Sequence, residues 1–263
     1  MASRSIGASE RVAAPAPSAR LRALGRTMAI AALLAVCLPA HGLSRLLRRR
    51  SRWPRRFLAT LARLAGFDAR VEGRPLTGDV LIVANHLSWV DIPMLAGACG
   101  ARFVSKEEVA RWPLIGYLAD LNRTVYVART ERGRVAEQAA SLSRALAEGD
   151  PVALFPEGGT GDGRGMKPFR AALLAALCPA PAGVRVQPVA IDYHGEGPVV
   201  AWNSGKGFFA EMTRLLGLPG RRRVTLTFLD PIDPAVFTDR KTLTAAARAA
   251  IADALGGDRA PSL

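Results

Sequence analysis

The chain has 263 residues, 49% hydrophobic and 22% charged, enough apolar material for a sizeable core and too much for wholesale disorder. Its formal net charge of +14 invites a nucleic-acid reading, yet 12 of the 36 basic residues lie in residues 1–56 beside a single acidic one, Glu10. The rest is nearly balanced and carries no basic-aromatic reader motif, which argues against nucleic acid as a partner. Cys37, Cys99 and Cys178 are scattered and form no CxxC pair, so neither a disulfide framework nor a zinc site is supported, and a reducing setting fits.

In chain order, residues 1–26 are rich in Ala, Ser, Pro and Arg and read as a disordered basic tail. Residues 27–57 read as a membrane anchor followed by an Arg-rich segment. Only Met28 to Ala40 is free of charge and strongly polar groups, short of the roughly 20 residues of a spanning helix, and Pro39 and His41 weaken the run further. Arg45, Arg48, Arg49, Arg50, Arg52, Arg55 and Arg56, interleaved with Trp53 and Phe57, suit anionic headgroups of membrane lipids. This pattern predicts a cell inner membrane location, with the catalytic part on the cytoplasmic face. Because Arg20, Arg22 and Arg26 precede the run, charge alone leaves a span, a hairpin and an interfacial helix all open.

Residues 58–263 form one domain in which short apolar runs alternate with helical patterns, the signature of an α/β fold. Strands are predicted at 79–85, 101–106, 123–129, 151–157, 184–193 and 223–230, and helices at 134–148 and 242–255, with Gly149 and Gly256 at their C-terminal ends. A mixed, mostly parallel sheet flanked by helices follows.

The run at 79–85 feeds directly into Asn85, His86, Leu87, Ser88, Trp89, Val90 and Asp91. Reactive groups in α/β sheets gather at the carboxyl ends of strands. On one regular helix, His86 and Asp91 would diverge by about 140°, so they meet only if His86 lies in the loop and Asp91 opens the next helix. Pro93, tolerated in a first helical turn, supports that arrangement and predicts Asp91 as the N-cap. An ionised Asp orienting an imidazole makes a competent general base. No GxSxG elbow offers a covalent route, and Ser88 reads as a loop or cap residue.

NHLSWVD resembles the NHxxxxD box of the glycerolipid acyltransferases, the family that includes 1-acylglycerol-3-phosphate acyltransferase. YVAR, FPEG and VQPVAI resemble the family's later boxes, in order. The resemblance implies O-acyl transfer to a lysolipid acceptor from acyl-CoA or acyl carrier protein, with His86 and Asp91 catalytic and with no metal or other cofactor. Asn85, Lys106, Arg129, Glu157, Gly158, Gly159 and Thr160 are the candidate substrate-binding residues. The leading acceptor is 1-acylglycerol-3-phosphate, giving phosphatidic acid. The alternative is lyso-ornithine lipid, because FPEGGTGDG lacks the Arg of the FPEGTR form and is closer to FPEGTTSDG. VEGRPL and the loop 195–209 are expected to shape a lipid groove.

Overall fold

The computed structural model describes residues 16–49, 51–127, 135–202, 205 and 207–256. Two helices, α1 (Pro17–Leu46) and α2 (Trp53–Leu64), lead into β1 (Phe67–Gly73), β2 (Val80–Ala84), α3 (Asp91–Cys99) and β3 (Arg102–Lys106). Then come the short α4 (Glu107–Ala110), α5 (Ile115–Leu121), β4 (Val125–Val127), α6 (Val135–Ala147) and β5 (Val152–Leu154). A 3-10 turn (Ala171–Leu177), β6 (Arg185–Asp192), the short α7 (Gly197–Val200), α8 (Phe208–Leu216), β7 (Arg222–Phe228) and α9 (Arg240–Ala254) complete the described elements, with a further 3-10 turn at Pro234–Val236.

The seven strands form one sheet in the order β1-β7-β6-β2-β5-β3-β4. Every pairing is parallel except β6 with β7. This is the mixed, mostly parallel sheet expected. Alternate side chains of β2 feed two cores: Val80, Ile82 and Ala84 pack with α2, α3 and α8, while Leu81 and Val83 pack with α6, the 171–177 turn and α9. Burial on both faces explains why β2 reads as a continuous apolar run. Strands β5 and β6 flank β2 and both run parallel to it, so the carboxyl ends of the three share one edge of the sheet. Gly149 and Gly256, expected at helix ends, both adopt positive φ just beyond α6 and α9.

Three elements depart from the expectation. Helix α1 starts at Pro17, inside the stretch expected to be a disordered tail, because tertiary bonds order it. Arg22 donates to the Gly217 carbonyl, and the Arg26 guanidinium donates to the carbonyls of Ala65, Leu216, Leu218 and Gly220. These arginines satisfy free carbonyls beyond the C-terminal ends of α2 and α8. The segment expected as an Arg-rich headgroup binder contains α2, whose Arg55 caps α3 through the carbonyls of Gly97 and Ala98. Part of the loop expected at 195–209 forms α7 and the start of α8. By length and composition α1 can cross a membrane, and only 11% of its apolar window is buried. A helix of this length, composition and exposure points to membrane association.

Candidate active site

The site grows from the carboxyl end of β2. Asn85 is buried and both ends of its carboxamide are occupied: Nδ2 donates to the Ile191 carbonyl at 3.0 Å, and Oδ1 accepts from the Ile191 amide at 2.8 Å. It ties the exit of β2 to β6.

His86 follows in the loop, its side chain 15% exposed, with Nδ1 at 2.8 Å from Asp91 Oδ2. Its ring stacks on Phe155 with centroids 4.0 Å apart and an 11° tilt. With Nδ1 assigned as the donor to the carboxylate, Nε2 is the free acceptor nitrogen. Asp91 does open α3, but it is not the N-cap; Val90 holds that place, and no side chain caps the helix. The Asp91 carboxylate turns back instead, and Oδ2 also accepts the amides of Leu87 at 2.7 Å and Ser88 at 2.9 Å. Tyr193, just past β6, donates its hydroxyl to Oδ1. Burial first, and the Asp91 charge next, hold the Tyr193 phenol well above its ordinary range, so it stays a donor.

Glu157 braces the loop from the other side. Its Oε1 accepts the His86 amide at 2.7 Å and its Oε2 the Lys167 amide at 3.0 Å. Burial pushes this carboxyl up from its usual range, and the two backbone donors oppose that rise. Each of its oxygens thus accepts one backbone amide. Gly158 adopts φ +72°, and a Cβ there would lie 2.8 Å from the Arg170 side chain. Gly159 faces open space, whereas Thr160 donates its hydroxyl to the Trp202 carbonyl at 2.5 Å. The amides of Gly161 and Trp202 bind the carbonyls of His86 and Leu87, so the Gly-rich loop and the α7–α8 connection both clamp the turn from His86 to Asp91. Lys106 is exposed at the carboxyl end of β3, two strands from β2, a lateral separation of roughly 10 Å. Arg129 lies outside the described residues.

Sequence reasoning assigned no role to Phe155, Tyr193 or Trp202. The legible signal for Tyr193 was a polar-tipped residue at the end of a strand parallel to β2. The hydroxyl of Ser88 and the indole nitrogen of Trp89 are buried with no protein hydrogen-bond partner. Ser88 therefore has no base to activate it as a nucleophile. Among the described residues no cluster of three or more His, Cys, Asp or Glu side chains could hold a metal ion.

A parallel-sheet edge carrying an oriented imidazole with one free nitrogen defines a class: an α/β enzyme equipped to take a proton from a hydroxyl. A family model described as Acyltransferase matches residues 68–192, a span that holds His86, Asp91, Glu157 and the first residues of every box of the resemblance. The chain is 36% identical to the lyso-ornithine lipid O-acyltransferase of Pseudomonas aeruginosa over 92% of each chain. It is 38% identical to that of Brucella abortus over 75% of this chain and 80% of the relative. The crystal structure of the 1-acyl-sn-glycerophosphate acyltransferase from Thermotoga maritima superposes with a TM-score of 0.66 at 21% identity, over 90% of this chain and 96% of that one, a likeness of fold. The chain belongs to the acyltransferase family, and it is an enzyme of acyl transfer to lysolipids.

Proposed function

We propose that this acyltransferase acylates the free hydroxyl of lyso-ornithine lipid, using acyl-CoA or acyl carrier protein as donor. The observation that carries the chemistry is the 2.8 Å contact between His86 Nδ1 and Asp91 Oδ2, with Nε2 left free. Nε2 takes the proton of the acceptor hydroxyl as its oxygen attacks the thioester carbonyl. The tetrahedral intermediate collapses, the carbon–sulfur bond breaks, and the thiolate leaves with the proton returned from the imidazolium. Asp91, held by Leu87 and Ser88, stabilises that imidazolium. Transfer is direct, with no acyl-enzyme.

The acceptor reading is supported by the two lyso-ornithine lipid relatives and by the loop after Glu157. Where the phosphate-acceptor pattern has an Arg, this chain has Thr160; of the cations that follow, Arg164, Lys167 and Arg170, Lys167 spends its Nζ on the Thr160 carbonyl at 2.6 Å. We further infer that α1 lies in the membrane interface rather than across it. One end is tied to the body through Arg22 and Arg26, and the other packs Cys37, Leu38 and His41 beside Trp53, Phe57 and Leu118. The arginines between α1 and α2 support placement on the cytoplasmic face of the inner membrane, with membrane lipids and acyl carrier protein as partners.

The test is acylation of a lysolipid panel by purified protein with one acyl thioester, with His86→Ala as the control. The expected result is strong preference for lyso-ornithine lipid, and a fall of roughly a hundredfold or more in the control. Preference for 1-acylglycerol-3-phosphate would replace this acceptor with the second reading. Equal release of free fatty acid with and without acceptor would mark a hydrolase.

A further inference from the structure

We propose that Tyr193 is a positioning residue for the His86–Asp91 pair, its hydroxyl locking the outer oxygen of the Asp91 carboxylate so that the imidazole has one fixed partner. The proposal rests on the acyl-transfer reading of that pair. Asp91 is fully buried, where a carboxylate without hydrogen bonds is costly. Three donors, His86 Nδ1 and the amides of Leu87 and Ser88, converge on Oδ2. They leave Oδ1 unsupported within the catalytic turn itself, and a carboxylate held by one oxygen can still pivot about its Cβ–Cγ bond.

The Tyr193 hydroxyl meets that need from another element, donating to Oδ1 from a ring that is itself buried. The ring stands edge-on to Phe67 of β1, with centroids 6.3 Å apart at 89°, which fixes its direction. Two residues earlier, Ile191 is clamped at both backbone groups by Asn85, the residue before His86. Base, carboxylate and phenol are thus tied into one closed circuit between β2 and β6. Packing alone would be served by Phe, which fills the same volume, so the hydroxyl is the informative group. The titratable side chains facing the pair are Tyr193, from the end of β6, and Glu157, from the loop after β5, which bears on the His86 amide.

The test compares full-length wild type and Tyr193→Phe in detergent micelles. Turnover is expected to fall roughly tenfold to a hundredfold while KM for both substrates stays within about twofold. The acid limb of the kcat/KM profile is expected to move to higher pH by about half a unit, because a carboxylate relieved of the phenol donor attracts an imidazolium more strongly. 3-Fluorotyrosine at position 193 keeps the size and strengthens the donor, so it moves the limb the opposite way; it also decides the matter if the Phe variant fails to fold. Nitrogen NMR of the His86 ring, one of three histidines, reports the same displacements without substrate. Unchanged turnover and limb in Tyr193→Phe overturn the proposal. So does a loss of turnover with the limb and ring titration unmoved, which is a structural effect only. Absence of acyl transfer by the wild type would overturn the functional reading instead, and the ring titration would still decide the role of Tyr193.

Discussion

At the residue scale, the site consists of two buried carboxylates with different environments. Asp91 is surrounded by donors from three backbone and side-chain sources plus a phenol, whereas Glu157 has only the amides of His86 and Lys167 to set against its burial. Desolvation therefore leads for Glu157 and raises its proton affinity. The linkage follows: a carboxyl whose folded value is raised contributes stability fully present below the ordinary Glu range, and that contribution is lost as pH climbs through the raised value. In Glu157→Gln this titration is absent, while the clash of an amide NH2 with a backbone N–H is a constant offset. Thermal melts of both proteins from about pH 4 to pH 8 should show the wild type's advantage shrinking as pH rises. An advantage that grows with pH would contradict a raised carboxyl.

At the element scale, the turn from His86 to Asp91 is only as well placed as α3, and α3 is seated on α2 by the absence of a side chain. A Cβ at Gly97 would fall 2.6 Å from the Ala59 Cα and 2.8 Å from its Cβ, so the two helices meet backbone to backbone. Arg55 of α2 then caps the same end of α3. Gly97→Ala overpacks this crossing, which typically costs about 1–3 kcal/mol despite alanine's better helix propensity. For a chain of this size that lowers Tm by roughly 3–10 °C, readable by circular dichroism. An unchanged or higher Tm would mean that the helices separate freely and that α2 does not set the position of α3.

At the scale of the whole molecule, the sheet divides two cores, one of them shared with α1, α2 and α8. Leu21, Leu24, Met28, Val36 and Leu43 are exposed along α1, a stripe that water would leave uncovered but a bilayer would not. Replacing Leu24 and Met28 together with Glu should weaken co-sedimentation with anionic vesicles at least about tenfold, since each buried apolar side chain contributes roughly 1.5–3 kcal/mol. Raising salt to about 1 M should remove the arginine share of binding and spare the apolar share. Vesicle binding that survives the double substitution would place the membrane contact elsewhere.

Much of this was legible in the order of residues alone. The unbroken apolar run of β2, the helix-opening Pro93 and the spacing of His86 and Asp91 are local signals, and together with the four boxes they specified fold class, the pairing of His86 with Asp91 and the acyl-transfer class. Local periodicity missed β1, an edge strand whose residues beyond Phe67 are exposed, and α8, which hides behind a Gly-rich approach. It also mistook the fate of polar atoms: Asp91 for an N-cap, and Arg22, Arg26 and Arg55 for tail or headgroup charges. Which partner a carboxylate, amide or guanidinium finds depends on backbone groups brought near it by chain closure over up to 195 residues, as with Arg22 and Gly217. Apolar patterning fixes which face is buried from within a few residues; hydrogen-bond pairing between distant segments is decided only when the sheet has assembled.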